Sequence, residues 1–254
     1  MVKKQEQVPL HWLLPSIKGI PVLMYHRVWP GTNDGLTISP EKLKQQWQYL
    51  KNEGCSTLSL SQFVDIVKNK LPYPKKSILL TFDDGYRNNL QYVYPLLKEL
   101  NWSAAFFIIA DTLTQTKDEP EINRKMNLQE LKSLDPSIVQ LALHGLHHEH
   151  FSRLTNEQIQ EVLEQSIQAF EMSSLPFHKV LAYPYGDRPK NKKQFDELKS
   201  WMKTNGIEAA FRIGNKVVKI PAPDVYEIKR IDIKGTDTMD QFRIKLKKGK
   251  LKPF

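Results

Sequence analysis

The chain has 254 residues, 40% of them hydrophobic, and its 37 basic residues exceed its 28 acidic ones to give a net charge of +9. This length accommodates one barrel-sized domain, and the single cysteine excludes internal disulfides and zinc sites built on paired thiolates. The N-terminal stretch contains no apolar run long enough for a signal peptide or a membrane-spanning helix. We therefore expect a globular protein in the cytoplasm or at the cytoplasmic face of the membrane.

Short apolar runs alternate with amphipathic stretches along the chain. The first strand is predicted at 21–28, and the first helix begins at Ser39 and Pro40, because serine caps a helix and proline suits its first position. Further strands are predicted at 57–60, 75–82, 103–110, 137–143, 179–185, 209–213 and 225–233. Further helices are predicted at 61–70, 89–100, 127–134, 156–172, 193–206 and 238–248, with Ser61 capping the first of them.

Continuous apolar strands separated by helices indicate a parallel sheet covered by helices. About seven such units predict an α/β protein with a (β/α) barrel, regular or deformed, of about seven parallel strands. A doubly wound open sheet is the alternative, although no Gly-rich loop follows the first strand to make it nucleotide-binding. We assign 1–19 to an N-terminal arm, 20–243 to the domain and 244–254 to a basic C-terminal tail.

Polar or turn residues follow four predicted strands at the point where each strand ends. They are His26, the pair Asp83 and Asp84, a histidine group that starts at His144, and the turn around Tyr185. The carboxyl ends of parallel strands meet at one rim of such a fold. We therefore expect these four groups to share one site.

Asp83 and Asp84 are neighbours in an extended segment, so their side chains point to opposite sides and suit different roles. One carboxylate is expected to bind a metal while the other acts as a base. A simple chain reversal at Asp-Asp-Gly is the alternative for this sequence alone.

The histidines supply the other ligands of such a site. Two neutral imidazoles and one carboxylate bind zinc, cobalt, nickel or iron(II) well. His144 and His148 have a suitable spacing, and His147 or His150 would satisfy spacing alone. His26 is a candidate proton donor, with a buried core histidine as the alternative.

Three motifs closely resemble those of the NodB-homology polysaccharide deacetylases, carbohydrate esterase family four. They are TFDDG at 81–85, HGLHH at 144–148 and YPYG at 183–186, and the resemblance extends over roughly 20–232. It implies a deformed (β/α) barrel and metal-dependent hydrolysis of an N-acetyl group on a sugar, with O-acetyl and N-formyl groups as alternatives.

The resemblance also implies roles for individual residues. Asp83 would be the general base, and the backbone N–H of Tyr185 would help to form the oxyanion hole. One divalent ion, zinc in the first place or else cobalt, nickel or iron, would be held by Asp84, His144 and His148.

Two positions depart from the family pattern around this site. Gly145 stands where the second motif usually has serine or threonine, and Ala182 stands where the third motif usually has an arginine that steadies the base. We expect Arg230, on a later predicted strand, to supply the missing positive charge.

The third departure is the absence of the late Leu-x-His motif, which carries the family's general acid. VLMYH at 22–26 instead resembles the circularly permuted branch, represented by biofilm poly-N-acetylglucosamine deacetylases, in which this motif comes first. His26 is therefore the expected general acid, and Asp232 is a candidate to orient it.

These features predict a metal-dependent carbohydrate deacetylase acting on an N-acetylglucosamine-type polymer or on a lipid-linked or capsule precursor. An iron(II) oxygenase, a glycosidase with two carboxylates about 5–10 Å apart, and a catalytically inactive glycan-binding protein are the alternatives. The expected partner is a carbohydrate, with peripheral membrane or lipid-linked sugar contact through the basic tail. No protein or nucleic-acid partner is expected, because no recognisable nucleic-acid module accompanies the basic residues.

Overall fold

The structure is a computed structural model that describes residues 19–115 and 118–250. Its elements are, in chain order, β1 (Val22–Tyr25), β2 (Arg27–Val28), β3 (Thr37–Ile38), α1 (Pro40–Asn52), β4 (Ser56–Thr57), α2 (Leu60–Asn69), β5 (Ser77–Phe82), α3 (Tyr94–Leu100), β6 (Ala104–Ile108), α4 (Leu128–Lys132), β7 (Val139–Leu143), α5 (Asn156–Ser173), β8 (Phe177–Ala182), α6 (Lys192–Thr204), β9 (Ala209–Ile213), β10 (Ile228–Asp232) and α7 (Met239–Lys248).

Seven parallel strands close into a barrel. They neighbour one another in the order β1, β10, β9, β8, β7, β6 and β5, and β1 also pairs with β5 to complete the ring. The short β4 pairs with the start of β5, and β2 pairs with β3 outside the barrel. The predicted (β/α) barrel of about seven strands is confirmed, and the open sheet is wrong because its edge strands are joined.

The start of α2 differs from the sequence prediction. Ser59 rather than Ser61 caps the helix, and it accepts a hydrogen bond from the backbone N–H of Gln62. The Gln62 side chain in turn accepts one from the N–H of Ser59 at 3.0 Å. This reciprocal capping box satisfies two backbone donors at the helix start, which explains why the cap lies two residues earlier than predicted.

The helices pack around the barrel by burying one face each. The longest, α5, has 18 residues and buries Ile159, Leu163 and Phe170. Among the described residues, no helix combines the length and the apolar composition that crossing a bilayer requires.

The last helix crosses the position where the basic tail is predicted to begin. The helix α7 continues to Lys248, and Lys245 within it is buried. The predicted arm up to residue 18 and the last four residues of the tail lie outside the described residues.

Alternate strand residues point into the barrel, where they form two kinds of layer. At the amino ends of the strands the layer is apolar, and α2 packs over it with Phe63 against Phe211 at 5.6 Å between ring centres. At the carboxyl ends the buried residues are charged or polar, among them Asp83, His144 and Arg230. The barrel is thus closed by hydrocarbon at one mouth and lined by charge at the other.

Candidate active site

The carboxyl-end mouth holds the residues that the sequence predicts for the site. The structure brings His26, which follows β1, and His144, which follows β7, to within 4.0 Å of the carboxylate of Asp83, which follows β5. Its Oδ2 lies 4.0 Å from His26 Nε2 and 3.8 Å from His144 Nε2. The closure of the barrel between β1 and β5 explains the His26 contact, because it makes residues far apart in sequence neighbours.

Asp84, His144 and His148 form a compact group of potential metal ligands. One ligand atom from each lies within 4.8 Å of the others. Asp84 Oδ1 is 3.2 Å from His144 Nε2 and 3.4 Å from His148 Nε2. A tetrahedral ion with bonds of about 2.0–2.2 Å separates its ligand atoms by about 3.3–3.6 Å, so these distances are close to those around one divalent ion.

The hydrogen bonds of the group leave its inner atoms facing each other as acceptors. His144 Nδ1 lies 2.8 Å from the backbone carbonyl of Ala182, which can only accept, so Nδ1 carries the proton of the neutral ring. Its Nε2 lone pair therefore points at Asp84 Oδ1, a buried atom that accepts no hydrogen bond from any described residue. Two acceptors at this distance are bridged either by a proton on Nε2 or by a metal ion, and two imidazoles with one carboxylate suit a divalent metal.

Electrostatics keep the other two candidate ligands in the forms that bind metal. Burial and the neighbouring His144 lower the pKa of His148 to about 4, so its ring is neutral at pH 7. Burial raises the pKa of Asp84, but the adjacent His144 and His26 lower it by more than burial raises it. The pKa of Asp84 therefore lies well below its usual range. Asp84 is therefore a carboxylate at neutral pH.

The proton and the expected metal compete for His144. Burial lowers the pKa of this imidazole, but the carboxylates of Asp83 and Asp84 raise it by more, so the pKa lies above its usual value. Without a metal, the two carboxylates favour a proton on Nε2. A divalent ion placed there would replace that proton.

The remaining histidines of the second motif lie outside the ligand group. His147 Nδ1 is 3.1 Å from Asp111 Oδ2, and His150 Nδ1 is 3.4 Å from Asp187 Oδ2. The His150 ring stacks on the Tyr185 ring at 3.8 Å between centres. Each of these histidines is thus paired with a different carboxylate.

Arg230 forms a two-pronged ion pair with Asp83. Its Nη1 and Nη2 donate to Asp83 Oδ1 and Oδ2, both at 2.6 Å, and the guanidinium is 1% exposed. Nη1 also donates to Thr81 Oγ1 at 3.3 Å. Arg230 therefore lies where the sequence hypothesis requires it, on β10 and two strands away from Ala182 on β8.

This pair fixes both the orientation and the charge of Asp83. Burial raises the pKa of the carboxyl, but the Arg230 charge, the His144 charge and the Arg230 hydrogen bonds together bring it below its usual value. The side chain is consequently ionised at neutral pH and held in one orientation.

Asp232 lies close to His26 without contacting it directly. Among the described residues no ion pair joins the two, and Asp232 Oδ2 is instead 3.9 Å from Lys234 Nζ. Burial raises the pKa of Asp232, while Lys245, Lys234 and His26 oppose that rise. The interaction between Asp232 and His26 is therefore electrostatic and long-range in this structure.

Three loops at this mouth contain left-handed backbone at functional positions. Asp84 and Gly85 have φ of 69° and 70°, His148 has 66°, and Tyr185 and Gly186 have 58° and 66°. Non-glycine residues adopt this region only where their surroundings hold them there. The N–H of Tyr185 donates to no described acceptor, whereas the next N–H, of Gly186, donates to the Tyr183 carbonyl at 2.8 Å.

A family model described as polysaccharide deacetylase matches residues 70–208 of the chain. The chain belongs to the polysaccharide deacetylase family. The matched region contains Asp83, Asp84, His144 and His148, and it excludes the N-terminal His26 as well as Arg230 on β10. The barrel nevertheless places both of these residues beside Asp83.

Related sequences cover most of the chain. A poly-beta-1,6-N-acetyl-D-glucosamine N-deacetylase of Staphylococcus epidermidis is 28% identical over 208 residues, which are 77% of this chain and 67% of that protein. YxkH of Bacillus subtilis is 25% identical over 187 residues, 73% of this chain. The chain spans only 63% of the length of YxkH.

Solved structures share the fold over nearly the whole chain. A polysaccharide deacetylase from Bacillus cereus has a TM-score of 0.69 at 26% identity and covers 91% of this chain and 69% of its own. PplD, a Streptococcus pyogenes deacetylase in complex with acetate, has a TM-score of 0.76 at 18% identity and covers 92% of this chain and 100% of its own. IcaB from Ammonifex degensii has a TM-score of 0.72 at 23% identity, with coverages of 91% and 97%.

Several residues of the site were missed in the sequence. Thr81 lies two positions before Asp83, so strand alternation places it on the same face, and this signal was available. Asp111 follows β6, and its position at a strand end was a second usable signal. Asp187 and Glu149 carry no such signal, because their contacts with His150 and with the turn before Glu149 depend on loop conformation.

Proposed function

We propose that the protein is a metal-dependent carbohydrate N-deacetylase that hydrolyses the N-acetyl group of an N-acetylglucosamine-type sugar. The observation that supports this most directly is the arrangement around two adjacent carboxylates. Asp84 Oδ1 faces the Nε2 atoms of two histidines at 3.2 and 3.4 Å, while Asp83 faces His26 and is held by Arg230. A hydrolase needs this separation of a metal-binding group from a base.

Asp84, His144 and His148 would hold one divalent ion, zinc in the first place, with cobalt, nickel or iron as alternatives. Such an ion supplies Lewis acidity, which polarises the acetyl carbonyl and acidifies a bound water. The chain supports this role through the Ala182 carbonyl, which fixes the tautomer of His144.

Asp83 would act as the general base that removes the proton from the attacking water. Arg230 keeps both carboxylate oxygens oriented and the group ionised. The same pairing makes Asp83 a weaker base than an isolated carboxylate, since it lowers the pKa. The ion pair favours catalysis through preorganisation, because the base is deprotonated and positioned before the substrate binds.

His26 would donate a proton to the leaving amine, and the N–H of Tyr185 would stabilise the oxyanion. His26 Nε2 stands 4.0 Å from the base and its side chain is 13% exposed, so it can reach both the site and the solvent. Asp232 would favour protonated His26 through its charge at longer range.

The proposed substrate class is an N-acetylglucosamine polymer or a lipid-linked precursor that carries the same sugar. The Staphylococcus epidermidis relative, named as an N-deacetylase of poly-beta-1,6-N-acetyl-D-glucosamine, supports the polymer. The net charge of +9 suits a precursor with a phosphate-bearing carrier.

The test is acetate release by zinc-reconstituted protein from β-1,6-linked N-acetylglucosamine oligomers, from β-1,4-linked ones and from a lipid-linked sugar. Asp83→Asn protein serves as the control. Acetate released from any of them by the wild type alone supports N-deacetylation. O-acetylated sugars are assayed in parallel, and release from them alone would show that the protein is an O-deacetylase. Saturable binding of the oligomers without acetate release would show that it is a glycan-binding protein.

A further inference from the structure

The turn that presents His148 is closed by a carboxylate of the same turn. Glu149 Oε1 accepts the backbone N–H of His147 at 2.9 Å, and Glu149 Oε2 accepts that of Leu146 at 3.2 Å. Two successive backbone N–H groups that converge on one anion form a closed ring. That ring contains His148, whose backbone is left-handed with a φ of 66°.

The same turn is fixed from its other side by the segment that follows β6. The N–H of Ala110 donates to the carbonyl of Gly145, and the N–H of Asp111 donates to that of Leu146, both at 3.0 Å. Carbonyl groups of the turn are thus bound to the barrel, whereas the N–H groups of Leu146 and His147 depend on Glu149. Without Glu149, these two N–H groups lose the acceptor that holds the turn together.

Gly145 provides the space that the Glu149 carboxylate occupies. A Cβ built on Gly145 would lie 2.9 Å from Glu149 Oε2 and 3.2 Å from Pro184 Cγ. Contact below 3.0 Å forces one group to move, and the movable one here is the Glu149 carboxylate. Gly145 therefore leaves room for the Glu149 carboxylate in the position from which it accepts the two N–H groups.

We propose that Glu149 is a positioning residue for the metal ligand His148, and that Gly145 is the partner that makes this possible. Glu149 would act through the turn backbone and would not touch the metal. The inference rests on the metal site of the proposed function. It adds that the Glu149 carboxylate holds the turn that carries one expected ligand. A left-handed residue such as His148 stays in that conformation only while its neighbours enforce it.

The test measures zinc affinity by calorimetric titration of the full chain, with no substrate present. Glu149→Ala is expected to weaken binding about 10- to 100-fold, the usual effect of removing a group that orients a ligand. Glu149→Gln keeps one acceptor oxygen and is expected to lose less. Glu164→Ala, which removes an exposed carboxylate from α5, is the matched control and should bind like the wild type.

A double-mutant cycle with Gly145→Ala separates positioning from the loss of one nearby negative charge. In the wild-type background the new Cβ displaces the Glu149 carboxylate, and zinc binding should weaken. In the Glu149→Ala background only the Pro184 contact remains, so the same substitution should have a smaller effect. The φ of 76° at position 145 strains alanine equally in both backgrounds and cancels from the cycle.

The outcomes distinguish this inference from the proposed function. Wild-type protein that binds no divalent ion would overturn the metal site and the inference with it. Wild-type binding that survives unchanged in folded Glu149→Ala protein, checked by circular dichroism, would overturn the inference alone. Additive effects in the cycle would also overturn it, since they would show that Gly145 and Glu149 act independently.

Discussion

The two mouths of the barrel enclose the same interior with opposite chemistry. At the amino-end mouth, α2 packs Phe63 and Val64 over apolar strand residues. At the carboxyl-end mouth, Asp83, His144 and Arg230 are each no more than 2% exposed. Charges this deep are tolerated only when they are paired, because transfer from water to a protein interior is costly.

The apolar amino-end mouth supports the charged carboxyl-end mouth. The apolar layer excludes water from beneath the site, so the Arg230–Asp83 pair interacts in a medium of low polarity. The same layer contributes stability but no polar group to the site. Changes at the charged mouth should therefore affect turnover, and changes at the apolar mouth should affect folding.

The largest loss is expected on removing the metal. Chelator-treated protein should lose all measurable acetate release and recover it when zinc or cobalt is added, and His144→Ala protein should not recover. Acetate release at the wild-type rate by protein shown to be metal-free by elemental analysis would contradict the proposed role of the cluster.

Asp83→Asn is expected to lower kcat by about 10³-fold, since general-base catalysis usually contributes 10²–10⁴-fold. The zinc content should stay near that of the wild type, because the ligands of the expected site are unchanged. Steady-state kinetics and elemental analysis check this together. A variant that loses its zinc and its activity in parallel would argue that Asp83 is a ligand rather than the base.

His26→Asn is expected to lower kcat for N-acetyl substrates by about 10²-fold because the leaving amine needs a proton. Hydrolysis of an aryl acetate should be much less affected, since its phenolate leaves without protonation. Comparing the two substrates by acetate release checks the role. Equal losses on both, accompanied by a lower Tm, would instead indicate a structural histidine.

Arg230→Met is expected to lower activity about tenfold at neutral pH and to shift the acid limb of the pH–rate profile upward. The sign follows from the ion pair, because Arg230 helps to lower the pKa of Asp83 and its loss lets that pKa rise. The base then becomes protonated at a higher pH than in the wild type. An acid limb unchanged in position would show that Arg230 does not set the ionisation of Asp83.

Phe63→Ala tests the other mouth and is expected to have the smallest effect on turnover. The free energy of unfolding should fall by about 3–5 kcal/mol, as for other buried phenylalanines, while kcat per folded molecule stays within twofold of the wild type. Denaturant titration and active-site-normalised kinetics check both values. A large fall in kcat in folded protein would mean that the apolar layer also shapes the site.

The barrel and the rim on which the site lies are predictable from local sequence patterns. Apolar runs that alternate with helices specify parallel strands, and the polar residues after those runs specify the carboxyl-end mouth. The motif resemblance selected Asp84, His144 and His148, and the structure brings these three together. Such inferences succeed because periodicity and strand ends are local properties of a chain.

The contacts between distant groups at that rim become visible only in the folded chain. Arg230 pairs with Asp83 from 147 residues away, and no local pattern encodes that contact. The closure of β1 on β5 likewise brings His26 to the base. The Glu149 carboxylate accepts two N–H groups of its own turn and lies in space that a side chain at Gly145 would enter. These contacts depend on barrel closure and on loop backbone angles, which are set by packing over the whole fold rather than by neighbouring residues.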